Sequence, residues 1–278
     1  MDEGKVNIAE ALRTATARLA ATSDTARLDA ELLMVHTLGV TRSELLLRHM
    51  RDPVPAVFPV LVERRAQHEP VAYITGHQEF FGRSFEVTPD TLIPRGDSET
   101  LIEAALVCRP DARRVLDLGT GTGALLLTFL AESEAAGIGI DASAPACEIA
   151  AHNAAALGLQ ERTRFLHRDW TQPGWTEELG TFDLVLCNPP YVEEGAALDP
   201  SVRDYEPAGA LFSGPDGLDD YRVLIPQLPA LLNPGGVAVF EIGHRQADAV
   251  TALAQAHGFS VELRRDLGGR PRALVLTR

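Results

Sequence analysis

The chain has 278 residues, 45% hydrophobic and 23% charged, a balance that fits a soluble protein with one large domain, or with a catalytic domain and a small companion. No apolar run approaches the roughly eighteen residues that a membrane-spanning helix needs, so a membrane protein is not expected. Net charge is −14, with nine Lys and Arg against eleven Asp and Glu in residues 1–80 and 16 against 28 in the remainder, which argues against gripping a nucleic acid backbone without excluding a local basic groove.

The opening Met1-Asp2-Glu3-Gly4-Lys5 is acidic and lacks the basic start and unbroken apolar core of a signal peptide, so a cytoplasmic protein is expected. Residues 1–68 read as a small helical bundle. Ile8, Leu12, Ala15 and Leu19 recur at helical spacing. A second helix is expected to start at Ser23-Asp24, carry Leu28, Leu32 and Val35, and stop at Gly39. Thr41 and Glu44 have the spacing of a capping box ahead of Leu45-Leu46-Leu47. Pro53 and Pro55 break the chain before a fourth helix with Val57, Leu61 and Val62. Nothing in this bundle looks catalytic; it either docks a substrate or caps the domain that follows.

Residues 69–97 read as a linker, in which the aromatic and Gly content of 80–87 suggests a hairpin. From residue 98 to 278 strands and helices alternate. Strands are expected at 115–118, 137–141, 164–166, 182–187, 237–242, 261–263 and 273–276, with helices at 124–130, 144–157, 221–232 and 246–257. The fold class is α/β: a Rossmann-like, mostly parallel sheet covered on both faces. Cys108, Cys147 and Cys187 are widely spaced and odd in number, and the eight histidines form no cluster, so neither a disulfide framework nor a metal site is expected.

The first strand of this region runs into Asp117-Leu118-Gly119-Thr120-Gly121-Thr122-Gly123. Glycines let the turn tighten and approach a ligand, and open α/β sheets bind ligands at the carboxyl ends of their strands. The spacing is G-x-G-x-G, not the G-x-G-x-x-G of a dinucleotide loop. An acid two positions ahead suits a ligand without a pyrophosphate, because it can meet the ammonium of a methionine moiety. Asp141 ends the second strand, where a carboxylate can accept both ribose hydroxyls. Asp169 and Trp170 follow the third, where an adenine can be bonded and covered. Singly, Asp141 could be a helix cap and Trp170 a core residue; in this order on one sheet they point to S-adenosylmethionine.

Asn188-Pro189-Pro190-Tyr191 follows the strand at 182–187. Asn-Pro alone could be a turn. At the ligand edge of the sheet it offers more. An amide nitrogen is a poor nucleophile, because its lone pair is delocalised into the carbonyl. The Asn188 side-chain oxygen and the Pro189 carbonyl are two acceptors for an NH₂ group, in a frame that proline stiffens. They can aim the nitrogen lone pair and stabilise positive charge growing there, while Tyr191 stacks on the planar group. Glutamine, adenine N6 and cytosine N4 all satisfy this description.

With these residues the chain resembles the bacterial protein-(glutamine-N5) methyltransferases that act on release factors, a class I S-adenosylmethionine-dependent family. The likeness extends from about Leu28 to Leu276. It includes Pro70-Val71-Ala72-Tyr73-Ile74-Thr75-Gly76, Glu79-Phe80-Phe81-Gly82, Leu92-Ile93-Pro94-Arg95, Asp204-Tyr205-Glu206-Pro207, Gly214-Pro215-Asp216-Gly217-Leu218, Tyr221-Arg222, and Glu241-Ile242-Gly243 with Gln246. DNA adenine methyltransferases lack these segments.

The resemblance implies a helical N-terminal domain, a hairpin linker and a seven-stranded methyltransferase domain. It implies cofactor contacts at Gly119 to Gly123, Asp141 and Trp170, and glutamine binding by Asn188 to Tyr191. It implies class I release factors as protein substrates, modified at the glutamine of a Gly-Gly-Gln tripeptide; a monomer that contacts neither membrane nor nucleic acid is expected. The rivals are a glutamine methyltransferase of a ribosomal protein, a nucleic-acid amino-methyltransferase that flips a base, and a non-catalytic binding module. One departure stands out: the family usually has Pro-Glu-Thr-Glu or Pro-Asp-Thr-Glu after Pro94-Arg95, whereas this chain has Gly96-Asp97-Ser98-Glu99. Gly96 is expected to loosen that turn.

Overall fold

The structure is a computed structural model that describes residues 6–278; Met1 to Lys5 lie outside the described residues. The chain forms two compact units. One runs to His77 and takes in Leu198–Tyr205; the other comprises Gln78–Ala197 and Glu206–Arg278.

The first unit contains α1 (Ile8–Leu19), α2 (Ala26–Leu38), α3 (Arg42–Glu44), which runs into a π-helical turn at Leu45–His49, α4 (Phe58–Ala66) and α5 (Val71–Thr75). The apolar stripe of α1 is buried and packs in one cluster with Leu33, Met34, Leu45, Phe58 and Leu61. Gly39 ends α2 at φ 65, and the capping box at Thr41 and Glu44 closes in both directions. The start of α2 differs from expectation. Ser23 does not cap it; the helix begins at Ala26, and Ser23 Oγ donates to Asp29 Oδ2 at 2.8 Å. Asp29 is buried and also accepts from Thr25 Oγ1 (2.8 Å) and Arg65 Nε (2.7 Å). A buried carboxylate needs several donors, and that need outweighs local capping. Helix α5 falls within the stretch that the sequence suggests is linker. In the same unit Tyr205 Oη donates to the Gln67 carbonyl at 2.8 Å.

The second unit opens with a hairpin, β1 (His77–Phe80) and β2 (Arg83–Glu86). Phe81 and Gly82 have φ of 51 and 70, as a two-residue turn between twisted strands requires. Phe81 N donates to Glu99 Oε1 at 2.8 Å, which fixes that unusual backbone. There follow α6 (Glu99–Cys108), β3 (Arg114–Leu118), α7 (Ala124–Ala131), β4 (Ala136–Asp141), α8 (Ala144–Ala156), β5 (Thr163–His167) and β6 (Phe182–Cys187). Beyond α9 (Pro200–Arg203), which lies in the first unit, come α10 (Asp219–Leu224), α11 (Leu228–Leu231), β7 (Leu232–Glu241), α12 (Ala247–Ala256), β8 (Ser260–Arg265) and β9 (Pro271–Thr277). The single helix expected at 221–232 is broken by a 3₁₀ turn at Ile225–Gln227, because Pro226 and Pro229 cannot donate to the preceding turn.

The seven strands order as β5-β4-β3-β6-β7-β9-β8. All pairs from β5 to β7 are parallel, and β9 runs antiparallel to both β7 and β8. Side chains alternate between two core layers, as a period of two demands. Val115, Leu184, Leu186, Val237 and Val239 join one layer, with α6 and α7. Leu116, Leu118, Val185, Cys187, Ala238 and Phe240 join the other, with Tyr221 and Val250. The fold is therefore a three-layer α/β sandwich around a mostly parallel sheet.

One polar side chain couples the hairpin to the ligand edge of the sheet. Asn153, on the buried face of α8, accepts from Glu86 N at 2.7 Å and donates to the Glu86 carbonyl (3.0 Å) and the Thr122 carbonyl (2.9 Å). Asn153→Ala leaves three backbone groups without partners. A destabilisation of roughly 2–4 kcal/mol is expected, since each buried orphan costs about 1–3 kcal/mol. Urea denaturation measures it; a loss under about 1 kcal/mol would mean that those groups find other partners.

Candidate active site

The chain leaves β3 in one direction, to β4 and β5, and returns to place β6 on the other side of β3. This is a topological switch point, the place where open α/β sheets hold ligands. The register pairs Leu118 with both Ile140 and Cys187, and Cys187 with Phe240. The residues that end or follow these strands, Gly119, Asp141, Asn188 and Glu241, thus share one edge. A cavity of about 430 Å³ opens there, within the range of small-molecule sites. Gly119, Thr120, Gly121, Thr122, Asp141, Trp170, Asn188 and Pro190 line it. Asp117, Gly123, Asp169, Pro189 and Tyr191 stand outside its lining.

Each lining group has a cause. Gly119 has φ 73, and a Cβ there would sit 3.2 Å from Trp170 Cη2, so glycine lets the indole lie against the loop. Trp170 Nε1 donates to Asp220 Oδ1 at 2.7 Å, and Asp220 Oδ2 accepts from Ser213 Oγ at 2.6 Å. Asp141 Oδ2 accepts from Gly121 N and Oδ1 from Ser143 N, both at 2.9 Å. Burial raises the Asp141 pKa, while those two N–H groups oppose the rise. Each carboxylate oxygen keeps a second lone pair for a hydroxyl.

Asp117 is wholly buried. Its Oδ2 accepts from Thr120 Oγ1 at 2.7 Å, and its Oδ1 has no partner. Burial, with a smaller contribution from the nearby Asp141 charge, raises its pKa to about 7. Asp169 is different: its Oδ1 accepts from Thr171 N (2.8 Å) and Thr171 Oγ1 (2.7 Å), bonds that hold its pKa low and close a local turn. A cavity of this size, an oriented carboxylate and an indole wall together fit an adenosyl-methionine molecule.

Asn188 is half-buried, and among the described residues its side-chain amide has no hydrogen-bond partner. The Pro189 carbonyl likewise accepts no backbone hydrogen bond among them. The backbone of Tyr191 is held on both sides. Its N–H donates to the Leu211 carbonyl at 3.2 Å, and its carbonyl accepts from Gln246 Nε2 at 3.0 Å. Tyr191 Oη donates to Glu241 Oε1 at 3.2 Å.

Sequence reasoning assigned no role to several residues. Pro89, Thr91, Leu92 and Pro94 line one side of the cavity, and Pro207, Gly209 and Ala210 another. Glu206, buried, ties these two loops together by accepting from Ile93 N (3.2 Å) and pairing with Arg95. The two loops lie 111 residues apart for that pair, so only their shared likeness to the family signalled them. Nothing local marks Asp220, 50 residues from Trp170. The turn at Gly96–Ser98 is fastened rather than loose: Asp97 pairs with Arg272 at 2.7 Å, and Ser98 Oγ donates to Glu241 Oε2 at 2.5 Å. Among the described residues no group of three or more His, Cys, Asp or Glu is placed to hold a metal, and no helix is long and apolar enough to cross a membrane.

Residues 10–76 match the family model described as the PrmC N-terminal domain, and residues 115–199 match a methyltransferase domain. The release factor glutamine methyltransferase of Cereibacter sphaeroides is 46% identical over 273 residues, covering 95% of this chain and 96% of the relative. The protein of the same name from Rhodospirillum rubrum is 42% identical, covering 91% of this chain and 79% of the relative. Among solved structures, the 16S rRNA N2 G1207 methyltransferase of T. thermophilus, in complex with AdoMet and guanosine, matches at TM-score 0.52 and 20% identity, covering 73% of this chain and 49% of that one, a likeness of fold.

The buried Asp117 gives a test of the pocket's electrostatics. Its ordinary pKa is 3.8 and its folded value is about 7, so between these the folded chain holds a proton that the unfolded chain has lost. Its contribution to stability is complete below about pH 4 and is lost as pH rises to about 7. Across that range the melting temperature of the wild type should fall relative to that of Asp117→Asn, without added ligand. Parallel curves for the two proteins would show that this carboxyl titrates normally.

Proposed function

The chain belongs to the release factor glutamine methyltransferases, and from that premise we propose that Asn188 and Pro189 hold the substrate amide beside S-adenosylmethionine bound along Gly119–Gly123, Asp141 and Trp170. The enzyme methylates the side-chain nitrogen of glutamine in release factors; the glutamine of a Gly-Gly-Gln tripeptide in class I factors is the site that best fits the reading. The observation that carries it is the pair of open acceptors, the Asn188 side-chain amide and the Pro189 carbonyl, on the rim of a cavity that suits the cofactor.

The cofactor supplies, when bound, an electrophilic methyl group on a sulfonium. The chain's own residues do the rest. Asp141 offers two carboxylate oxygens, pre-oriented by Gly121 N and Ser143 N, to the ribose hydroxyls. Trp170, braced by Asp220, covers the adenine. Asp117, wholly buried and outside the cavity lining, supports the glycine loop from behind through Thr120. Asn188 Oδ1 and the Pro189 carbonyl accept the two amide N–H groups and turn the nitrogen lone pair toward the methyl. As the C–N bond forms and the bond from the methyl carbon to sulfur breaks, its electron pair leaving with the neutral thioether S-adenosylhomocysteine, positive charge grows on the nitrogen, and the same two acceptors would stabilise it. The extra proton then leaves from the nitrogen to solvent, so a dedicated base is not required. Alignment carries most of the rate in such a displacement.

Asn188→Ala should abolish transfer while the cofactor dissociation constant, measured by calorimetry, stays within about twofold. An equal loss of cofactor affinity would assign Asn188 to the cofactor instead. The activity itself is tested with labelled S-adenosylmethionine and a purified class I release factor beside its Gln→Ala variant at Gly-Gly-Gln. Label in the native factor and none in the variant is the expected result. Label in neither, with cofactor bound, would move the substrate to another protein, ribosomal protein glutamines first.

A further inference from the structure

Strand β7 ends at Glu241 beside the end of β6, one step past the pair Cys187 and Phe240. This sets Glu241 level with Asn188. Glu241 is 1% exposed, and besides fastening the turn at Ser98 it reaches Tyr191. Its carboxylate accepts from Ser98 Oγ at 2.5 Å and from Tyr191 Oη at 3.2 Å. Ser98 lines the cavity, and Tyr191 closes the Asn-Pro-Pro-Tyr turn. Arg272 Nη1 stands 4.0 Å away, but Arg272 already pairs with Asp97 at 2.7 Å and Asp266 at 3.3 Å. Asp97 and Asp266 both sit on Arg272 Nη2 while Nη1 faces Glu241, so Glu241 also balances part of the Arg272 charge. Burying a carboxylate is costly, and burial raises this one to about pKa 6. A neutral residue would fill the place at less cost if packing alone were required.

The backbone of Tyr191 is pinned by Leu211 and Gln246. The Tyr191 ring packs against the core layer of that face, and the bond to Glu241 fixes the hydroxyl end of the ring. We propose that Glu241 is a positioning residue for amide methylation, which locks the Tyr191 ring against the turn that presents Asn188 and Pro189. The proposal rests on the reading of that turn as the amide clamp. Glu241 touches neither the amide nor the cofactor; it acts through Tyr191 on one side and through the cavity wall at Ser98 on the other.

The test compares Glu241→Met, Glu241→Gln, Tyr191→Phe and the pair Glu241→Met with Tyr191→Phe, using full-length enzyme and purified release factor, with Asn188→Ala as reference. Glu241→Met and Tyr191→Phe each lose the bond and should lower kcat by about tenfold or more, the loss of one hydrogen bond to a charged group. The double variant should fall no further than Glu241→Met alone, because that variant already lacks the bond that Tyr191→Phe removes. Glu241→Gln keeps an acceptor for Tyr191 Oη and should recover most of the rate. Cofactor affinity should stay within about twofold throughout. Tyr191→Phe opens no cavity, so it reads the bond even if Glu241→Met folds poorly. Multiplying losses in the double variant, an unchanged kcat in Tyr191→Phe, or a parallel loss of cofactor affinity would overturn the proposal. If Asn188→Ala itself kept full activity, the amide clamp would fall and the positioning role with it; if only Asn188→Ala lost activity, the clamp would stand and Glu241 would have no part in it.

Discussion

The parallel pairing of β3 with β6 is the constraint from which the rest of the site follows. Two ladders join non-consecutive strands, β3 with β6 and β7 with β9, and the first skips two strands, since β4 and β5 lie between its members in sequence but outside them in space. Its register, Leu118 against Cys187, brings the glycine loop and the Asn-Pro-Pro-Tyr turn to the same edge. A slip of one residue would turn every side chain of β6 to the opposite layer. The core forbids that: Leu184 and Leu186 are buried in one layer, Val185 and Cys187 in the other. Packing on both faces of the sheet thus sets where the two loops meet, and the chemistry is a consequence of that placement.

Polar groups at this edge divide into those the protein satisfies and those it does not. Asp141, Trp170, Glu206, Asn153 and Glu241 all have partners within the second unit. Their bonds hold the cavity wall in one shape, and a network of this kind is rigid only when each member is paired. Among the described residues the exceptions are Asp117 Oδ1, Arg272 Nε, the Asn188 amide and the Pro189 carbonyl. Buried or half-buried polar atoms without partners are uncommon in native proteins. The Asn188 amide and the Pro189 carbonyl belong to the turn at the cavity, whereas Asp117 is wholly buried behind the glycine loop. The asymmetry between a satisfied wall and open groups is what separates a binding site from an ordinary polar core.

Much of this was legible in the sequence because local rules decided it. The buried strands at 115–118 and 182–187 read directly as apolar runs, and β6 keeps the bounds read for it. The loop at Gly119 and the carboxylate at Asp141 follow strands, so their positions at the sheet edge could be argued from topology alone. What escaped was decided by contacts distant in sequence. The N-terminus of α2 shifted because Asp29 draws Ser23, Thr25 and Arg65, and the last of these lies 36 residues away. Trp170 could be placed near an adenine, but the residue that braces it, Asp220, carries no local mark. Asp169 sits where it was expected in sequence, yet its carboxylate serves the turn at Thr171 and not the cavity wall. Adjacency in a motif did not translate into adjacency in the site.

The turn after Arg95 shows how a sequence rule can be answered by tertiary bonds. Glycine where relatives carry proline raises the entropy of the unfolded chain, by an amount worth about 0.4–1 kcal/mol. That argument predicts a looser turn only if nothing else holds it. Gly96 itself does not need to be glycine, since its φ is not left-handed and a Cβ there would meet nothing within 4 Å. The next three residues supply the fastening. Asp97 pairs with the largely buried Arg272, Ser98 bonds the buried Glu241, and Glu99 accepts from the hairpin at Phe81. The bonds of Ser98 and Glu99, each worth about 1.5–3 kcal/mol, outweigh the lost proline, and the pair at the exposed Asp97 adds less. The departure from the family pattern therefore changes how the turn is held. Stiffness that proline would build into the chain is here supplied by bonds to Arg272, Glu241 and Phe81, and it depends on those partners staying in place.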